Sequence, residues 1–158
     1  MTGILVLVAV IAVATAFGVW RARTDGRMRP APAAPAPASA ETSGPRGGRV
    51  PDPAGPTALT GDDLGAPLGE RATLVQFSSA FCAPCRATRQ VLDTVAGDVP
   101  GVAHVEVDAE SRLDLVRRLD VSRTPTVLVL DAGGRIVRRA AGAPRRADVV
   151  AALGEAIQ

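Results

Sequence analysis

The chain has 158 residues, enough for one domain of ordinary size and some accessory segments. Its 18 positively charged side chains are all arginine, and its formal net charge is +2. Residues 1–56 contain six arginines and three acids, whereas residues 57–158 contain twelve arginines and thirteen acids. The C-terminal part is therefore slightly acidic, which argues against a nucleic-acid-binding protein.

The N-terminal segment is apolar. From Thr2 to Trp20, nineteen residues carry no charge, and at about 1.5 Å per residue a helix of this length spans the ~30 Å core of a bilayer. Trp20 ends the run, where interfacial aromatic residues are enriched. A cleaved signal peptide is the alternative, because Ala14 to Ala16 resembles a cleavage motif. The length of the run and the lack of a preceding arginine favour an uncleaved single-pass anchor over residues 1–20.

Residues 21–56 are predicted to be a linker. Its first part is rich in arginine, and the positive-inside rule then places the C-terminal domain in the cytoplasm, with an exported domain as the alternative. From Pro30 to Pro56 the linker is dominated by Pro, Ala and Gly. Such a stretch buries too little apolar surface to fold, so it is predicted to be disordered.

Residues 57–158 alternate between strand and helix patterns. A buried strand is predicted over Ala72–Ser78, then a helix from about Pro84 to Ala96 that ends at Gly97, and a second strand over Val102–Asp108. A short helix follows, with Ser111 as its N-cap and Leu113, Val116 and Leu119 as its core positions.

The C-terminal pattern predicts a hairpin and a final helix. Strands over Thr126–Leu130 and Arg135–Ala140 are joined by a turn containing Gly133 and Gly134. A helix over Arg145–Ile157 should face inward with the apolar positions Val149, Val150, Leu153 and Ile157. The predicted order is β-α-β-α-β-β-α, without a clear strand before Arg71.

Cys82 and Cys85 are the only cysteines, and they lie where the first strand passes into the first helix. Amides at a helix N-terminus stabilise a thiolate there. Cys82 is therefore the candidate nucleophile, and Cys85, one helical turn later, is the candidate resolving cysteine. Pro84 stiffens the turn between them.

Three other interpretations of the two cysteines stay open. Zinc needs four ligands, and Cys82, Cys85 and His104 do not reach that number unless two chains combine. A purely structural disulfide is the second interpretation. A two-thiolate site for a soft ion such as Cu(I) is the third, although the only methionines, Met1 and Met28, lie outside the predicted domain.

The Cys82-Ala83-Pro84-Cys85 motif, followed by Thr124-Pro125-Thr126 before a Val/Leu strand and a Gly-Gly hairpin, resembles the thioredoxin family over about residues 57–158. The resemblance implies an α/β thioredoxin-like fold, with a central mixed sheet flanked by helices. It also implies thiol-disulfide exchange with protein substrates, without a cofactor. We expect a monomer that acts as a reductant.

The same resemblance assigns further site residues. In the family the proline at the position of Pro125 is cis, and the backbone at the position of Thr124 pairs with the substrate. Gln76 replaces a buried aspartate that relays a proton, and Gln cannot titrate. His104, four residues before Asp108, becomes the candidate proton acceptor.

Two other functions are compatible with this resemblance. One is a membrane-tethered thioredoxin-like module that binds a client beside Pro125 without turnover. The other is an exported domain that acts as a disulfide oxidase or as a reductase in cytochrome maturation.

Overall fold

The structure is a computed structural model that describes residues 2–24, 26–30 and 58–158. Its first element, α1 (Thr2–Thr24), includes the stretch Gly3–Trp20, which has a mean hydropathy of 2.5 and is not buried against the protein. A helix of this length and composition is suited to cross a membrane, and a signal sequence has the same properties. Of the predicted linker over residues 21–56, the structure describes residues 21–24, which belong to α1, and residues 26–30. Residue 25 and residues 31–56 lie outside the described residues.

Beyond α1, short and long elements form one α/β domain. They are, in chain order, β1 (Arg29–Pro30), α2 (Gly61–Leu64), β2 (Ala72–Ser78), α3 (Ala83–Asp98), β3 (Val102–Asp108), α4 (Leu113–Arg118), β4 (Thr126–Asp131), β5 (Ile136–Ala141) and α5 (Arg146–Ala156). The predicted β-α-β-α-β-β-α order is confirmed for β2 through α5, and β1 and α2 are additional.

The strands form a mixed five-stranded sheet in the order β1-β5-β4-β2-β3. β2 is parallel to β3, whereas the other neighbouring pairs are antiparallel. Every residue of β2 is buried, as expected for a strand covered on both faces. The register places Gln76 opposite Glu106 of β3, and Phe77 opposite Thr126 of β4.

Helices cover both faces of the sheet, which confirms the predicted fold class. On one face, α2 and α4 contribute Leu64 and Leu115 to a core that contains Phe77. On the other, α3 and α5 contribute Leu92 and Leu153 to a second core. The cysteines lie at the N-terminus of α3, at the end of the sheet where β2 ends and β4 begins.

The helix α3 is longer than predicted. It begins at Ala83 and continues through Gly97 to Asp98, so Gly97 does not end it. A glycine inside a helix costs only about 1 kcal/mol relative to Ala, and a side chain placed at Gly97 would meet open space.

The two later helices also differ from the prediction. Ser111 is not the N-cap of α4, because Arg112 holds that position and the Ser111 hydroxyl donates to the Asp108 carbonyl instead. With the helix starting later, Leu115 is fully buried and Leu113 is exposed. In α5, Val150 is 47% exposed, and small residues such as Ala152 fill the inner face in its place.

The helix α2 starts with a capping box that the sequence analysis did not identify. The Thr60 hydroxyl accepts from the Asp63 amide, and the Asp63 carboxylate accepts from the Thr60 amide at 2.9 Å. Arg118 of α4 also donates to this carboxylate. Burial alone would raise the pKa of Asp63, but the bonds from Arg118 and Thr60 outweigh it and lower the pKa to about 2.

We expect Asp63→Asn to lower the free energy of unfolding by about 1–2 kcal/mol at pH 7. Because the folded pKa lies below the unfolded value of about 3.9, this stabilisation is complete above pH ~4 and disappears as the pH falls towards ~2. Urea denaturation of the full chain in detergent, at pH 7 and again at pH ~2, measures the loss of unfolding free energy. Asp62→Asn, which removes an exposed neighbouring carboxylate, is the matched control; equal losses in both variants would contradict the expectation.

Candidate active site

The site is built on the turn between β2 and α3. The Cys82 amide donates to the Ser79 carbonyl at 3.2 Å, which closes the turn after the strand. Cys82 is the N-cap of α3, and Pro84 lies in the first helical turn. The Cys85 amide points back at Cys82 Sγ, 3.2 Å away. A thiolate at Cys82 would therefore receive a hydrogen bond and the favourable end of the helix dipole.

The two cysteines differ in exposure. They are joined by a disulfide with a Cα–Cα distance of 5.2 Å, but Cys82 is half-buried and Cys85 is only 3% exposed. Once the disulfide is reduced, a partner molecule reaches Cys82 more readily than Cys85. The geometry thus suits attack by Cys82 and resolution by Cys85.

A second loop lies against the cysteine turn. The Thr124–Pro125 peptide bond is cis, and the Thr124 and Ser79 hydroxyls form a hydrogen bond of 3.1 Å. The Pro125 carbonyl accepts from the Gly142 amide at 2.7 Å. The structure therefore brings Thr124 and Pro125, predicted as substrate-binding residues, beside the cysteine turn.

Gln76 lies beneath the cysteines and is fully buried. Its Nε2 donates to the Cys85 carbonyl at 2.9 Å, so it ties the central strand to the first turn of α3. Its Oε1 has no hydrogen-bond partner among the described residues. This amide holds the backbone of Cys85 in place and supplies no titratable group.

A cavity of about 420 Å³ opens beside the cysteines. Its lining residues are Ser78, Ser79, Ala80, Cys82, Cys85, Arg86, Arg89, Glu106 and Asp108. The acid at 106, which the sequence analysis missed, accepts from Ser78 Oγ at 2.5 Å and forms an ion pair with Arg89. Burial alone would raise the pKa of Glu106, but its bonds from Arg89 and Ser78 outweigh burial and hold the pKa below its usual range. In β3 polar residues alternate with apolar ones, and the polar side chains lie on the same face of the sheet as Gln76. This alternation could have identified Glu106 from the sequence.

His104, the candidate proton acceptor, lies two residues earlier on β3. Its side chain is 7% exposed, and its Nδ1 is 2.6 Å from Oδ1 of Asp93 on α3. Its Nε2 has no hydrogen-bond partner among the described residues. His104 is outside the set of residues that line the cavity beside the cysteines, and its role stays a prediction.

The described part of the chain contains no cluster of three or more His, Cys, Asp or Glu side chains arranged to hold a metal ion. Cys82 and Cys85 are the only thiol groups in the sequence. The arrangement that the structure does present is a dithiol–disulfide pair, with one accessible sulfur at a helix N-terminus. Fold and site together define the class of the protein as a disulfide oxidoreductase.

Comparison with known proteins gives the family. The thioredoxin family model matches residues 63–155. Thioredoxin of Mycolicibacterium smegmatis is 30% identical over 105 residues, which cover 63% of this chain and 93% of that protein. The chain belongs to the thioredoxin family.

Other relatives are matched over a smaller part of their length. Monothiol glutaredoxin-4 of Schizosaccharomyces pombe is 32% identical over 90 residues, which cover 56% of this chain but 36% of that protein. Rice thioredoxin H2-1 is 33% identical over 72 residues, covering 46% of this chain and 51% of that protein. The chain thus spans between about a third and a half of these two relatives.

Solved structures agree on the fold. A thioredoxin mutant from Halobacterium salinarum aligns with a TM-score of 0.52 at 19% identity, covering 56% of this chain and 77% of that one. Thioredoxin f from spinach chloroplast aligns with a TM-score of 0.51 at 20% identity, covering 57% and 80% respectively. At these identities the likeness establishes the thioredoxin fold alone.

Proposed function

We propose that this protein is a membrane-anchored thiol-disulfide oxidoreductase that reduces disulfides in protein partners through its Cys-Ala-Pro-Cys site. The observation that carries the proposal is the asymmetry of the cysteine pair. Cys82 is accessible and faces the Cys85 amide, whereas Cys85 is 3% exposed and within disulfide range. A purely structural disulfide needs no such difference between its two sulfurs.

The proposed reaction has two steps. The Cys82 thiolate attacks a disulfide of the partner, forms a mixed disulfide and releases one partner thiol. Cys85 then attacks Cys82 Sγ, releases the second partner thiol and leaves both cysteines oxidised. The partner gains two electrons and the protein loses two. The protein's own dithiol is the reductant, so the proposed step uses no cofactor.

The loop at Thr124 and Pro125 is proposed to hold the partner during this exchange. The partner's extended segment would pair with the backbone of Thr124, as the family resemblance implies. The Ser79–Thr124 hydrogen bond supports this role, because it couples the loop to the turn that presents Cys82.

We further propose that α1 is an uncleaved single-pass anchor and that the domain faces the cytoplasm as a monomer. The uncharged stretch up to Trp20, followed by Arg21 and Arg23, supports this orientation. A cytoplasmic domain would be kept reduced and would act as a reductant. With the opposite orientation the domain would be an exported oxidase or a cytochrome-maturation reductase.

Reduction of insulin disulfides by dithiothreitol, with and without the full chain in detergent, tests the proposed activity. We expect the wild type to accelerate precipitation of the insulin B chain, and the Cys82→Ser/Cys85→Ser double variant to have no effect. An equal rate with the wild type and the double variant would sink the proposal and favour a client-binding module without turnover.

A further inference from the structure

The segment that follows α1, which is part of the predicted linker, is built into the domain. This strap, residues 26–30, contains β1, in which Arg29 pairs with Arg139 of β5. The Gly26 amide donates to the Ala141 carbonyl at 3.0 Å, and Met28 packs against the core beneath α5. The strap thus covers the edge of the sheet at β5. Since α1 ends at Thr24 and the strap begins at residue 26, a single residue separates them.

Gly26 allows the strap to pack against the domain, because only glycine fits at this position. Its φ is +76°, and a Cβ built there would lie 2.0 Å from the Ala143 carbonyl oxygen. Both the left-handed backbone and the close approach exclude a larger side chain. A substitution at Gly26 should therefore release the strap while leaving the cysteine turn untouched.

The strap joins the sheet at the same end as the cysteines. A short series of hydrogen bonds connects Gly26 to the active site. Gly26 is hydrogen-bonded to Ala141, and the next residue, Gly142, is hydrogen-bonded to Pro125. The neighbouring Thr124 is hydrogen-bonded to Ser79, which is in turn hydrogen-bonded to Cys82. Each of these hydrogen bonds is between 2.7 and 3.2 Å. The anchor is therefore attached on the side of the domain that presents Cys82.

The distance from the anchor to this end of the domain is short. From Trp20 to the end of α1 the helix rises about 6 Å, and two further residues to Gly26 add at most ~7 Å. A headgroup layer is about 5–8 Å thick on each side of a bilayer. With Trp20 at the edge of the hydrocarbon core, Gly26 lies just outside the headgroups.

Two surface features at this end suit contact with a bilayer. A cavity of about 230 Å³ is lined, among the described residues, by Arg27, Arg29, Arg123 and Arg139 together with Pro30 and Ala141. Guanidinium groups near a membrane attract the phosphates of anionic lipids. Beside Cys82, the Phe81 side chain is fully exposed, and Phe side chains on membrane-bound surfaces insert at the boundary between headgroups and acyl chains.

We propose that the active-site end of the domain faces the bilayer, and that its partner is a disulfide held at headgroup level by an integral membrane protein. This inference rests on the proposed function and adds the class of substrate to it. The strap keeps Cys82 close to the membrane surface. Once the strap is released, α1 and the domain are connected only through residues 25–57, a longer tether than residue 25 alone.

Two matched disulfides test this geometry with the full chain in nanodiscs of phosphatidylcholine and phosphatidylglycerol. One is a pyridyl disulfide of cysteamine in solution, and the other is the same pyridyl disulfide on the headgroup of phosphatidylethanolamine. The reduced Cys82 thiolate expels pyridine-2-thione, which is measured, and forms a mixed disulfide. Cys85 then releases the cysteamine or lipid thiol, so each probe takes two electrons from the dithiol.

We expect Gly26→Val to react with the soluble probe as the wild type does, and about fivefold more slowly with the lipid probe, because the local concentration of the lipid probe falls as the tether lengthens. Gly97→Val, at a helical glycine facing open space, is the matched control and should change neither rate. An unchanged lipid rate in Gly26→Val would overturn the inference, as would recovery from membranes of a chain cleaved within α1. Reaction of the wild type with neither probe would instead refute the proposed function.

A second variant keeps the test independent of the folding of Gly26→Val. Arg123→Gln should slow the lipid probe about fivefold in discs that contain phosphatidylglycerol, and should have no effect on that probe in discs of phosphatidylcholine alone. Arg135→Gln, at an exposed arginine in the β4–β5 turn, should change neither rate. The same response to Arg123→Gln in both kinds of disc would contradict membrane contact at this end of the domain.

Discussion

Cys82→Ser is expected to abolish disulfide reduction. A serine hydroxyl stays protonated at neutral pH and cannot form a disulfide, so neither the attack nor the storage of two electrons remains. Because Cys82 is the half-buried N-cap of α3 and does not belong to the core, the fold should be retained. Insulin reduction measures the loss, and an unchanged far-ultraviolet circular dichroism spectrum shows that the domain is intact.

Cys85→Ser is the informative partner of that variant. With Cys82 free and no resolving thiol, the mixed disulfide should persist, and non-reducing mass spectrometry should detect the chain joined to its partner. Cys82→Ser should form little of this adduct, because Cys85 is buried. If Cys82→Ser accumulated the adduct and Cys85→Ser did not, the assignment of nucleophile and resolving cysteine would be reversed.

The largest effect on stability is expected from Phe77→Ala, with a loss of about 3–5 kcal/mol. Phe77 is fully buried in the core beneath α2 and α4 and lies on the central strand. Truncation would leave a cavity that the rigid neighbouring strands cannot close, so the cost exceeds the transfer free energy alone. Urea denaturation of the full chain in detergent, followed by circular dichroism, measures it.

Val150→Ala provides the matched control for that measurement. Val150 lies on α5 but is 47% exposed, and a surface substitution of this kind should change stability by no more than about 0.5 kcal/mol. A loss below ~1 kcal/mol in Phe77→Ala would mean that the core on this face does not hold the sheet as the structure implies.

The long elements of the domain were predictable because their patterns are local and strong. The sequence analysis placed Ala72–Ser78 and Val102–Asp108 with the bounds that the structure shows. A mostly apolar run, or regular alternation of apolar and polar residues, over seven positions indicates a strand and its bounds. The cysteine pair was equally accessible, since Cys82 and Cys85 are the only cysteines and precede a clear helical pattern.

The short elements were not predictable in this way. The helix α4 has six residues, so a shift of its start by one or two positions exchanges Leu113 for Leu115 as the buried residue. β1 has two residues and forms through pairing with β5, more than a hundred positions away. The position of the Glu106 carboxylate beside the cysteines is likewise set by its contacts with Ser78 and Arg89. Such features arise from tertiary contacts, which a local pattern does not contain.

A redox titration of the full chain tests the central claim most directly. The protein is equilibrated in glutathione buffers and, for the more reducing range, in dithiothreitol buffers, and alkylation of Cys82 and Cys85 is counted by mass spectrometry. We predict one reversible two-electron couple, changing tenfold in ratio per ~30 mV, with a midpoint near the ~−270 mV of thioredoxins, as suits a reductant. A midpoint near −120 mV would point to an oxidant and an exported domain. Absence of a reversible couple would contradict the assignment of this site as a thiol-disulfide exchange centre.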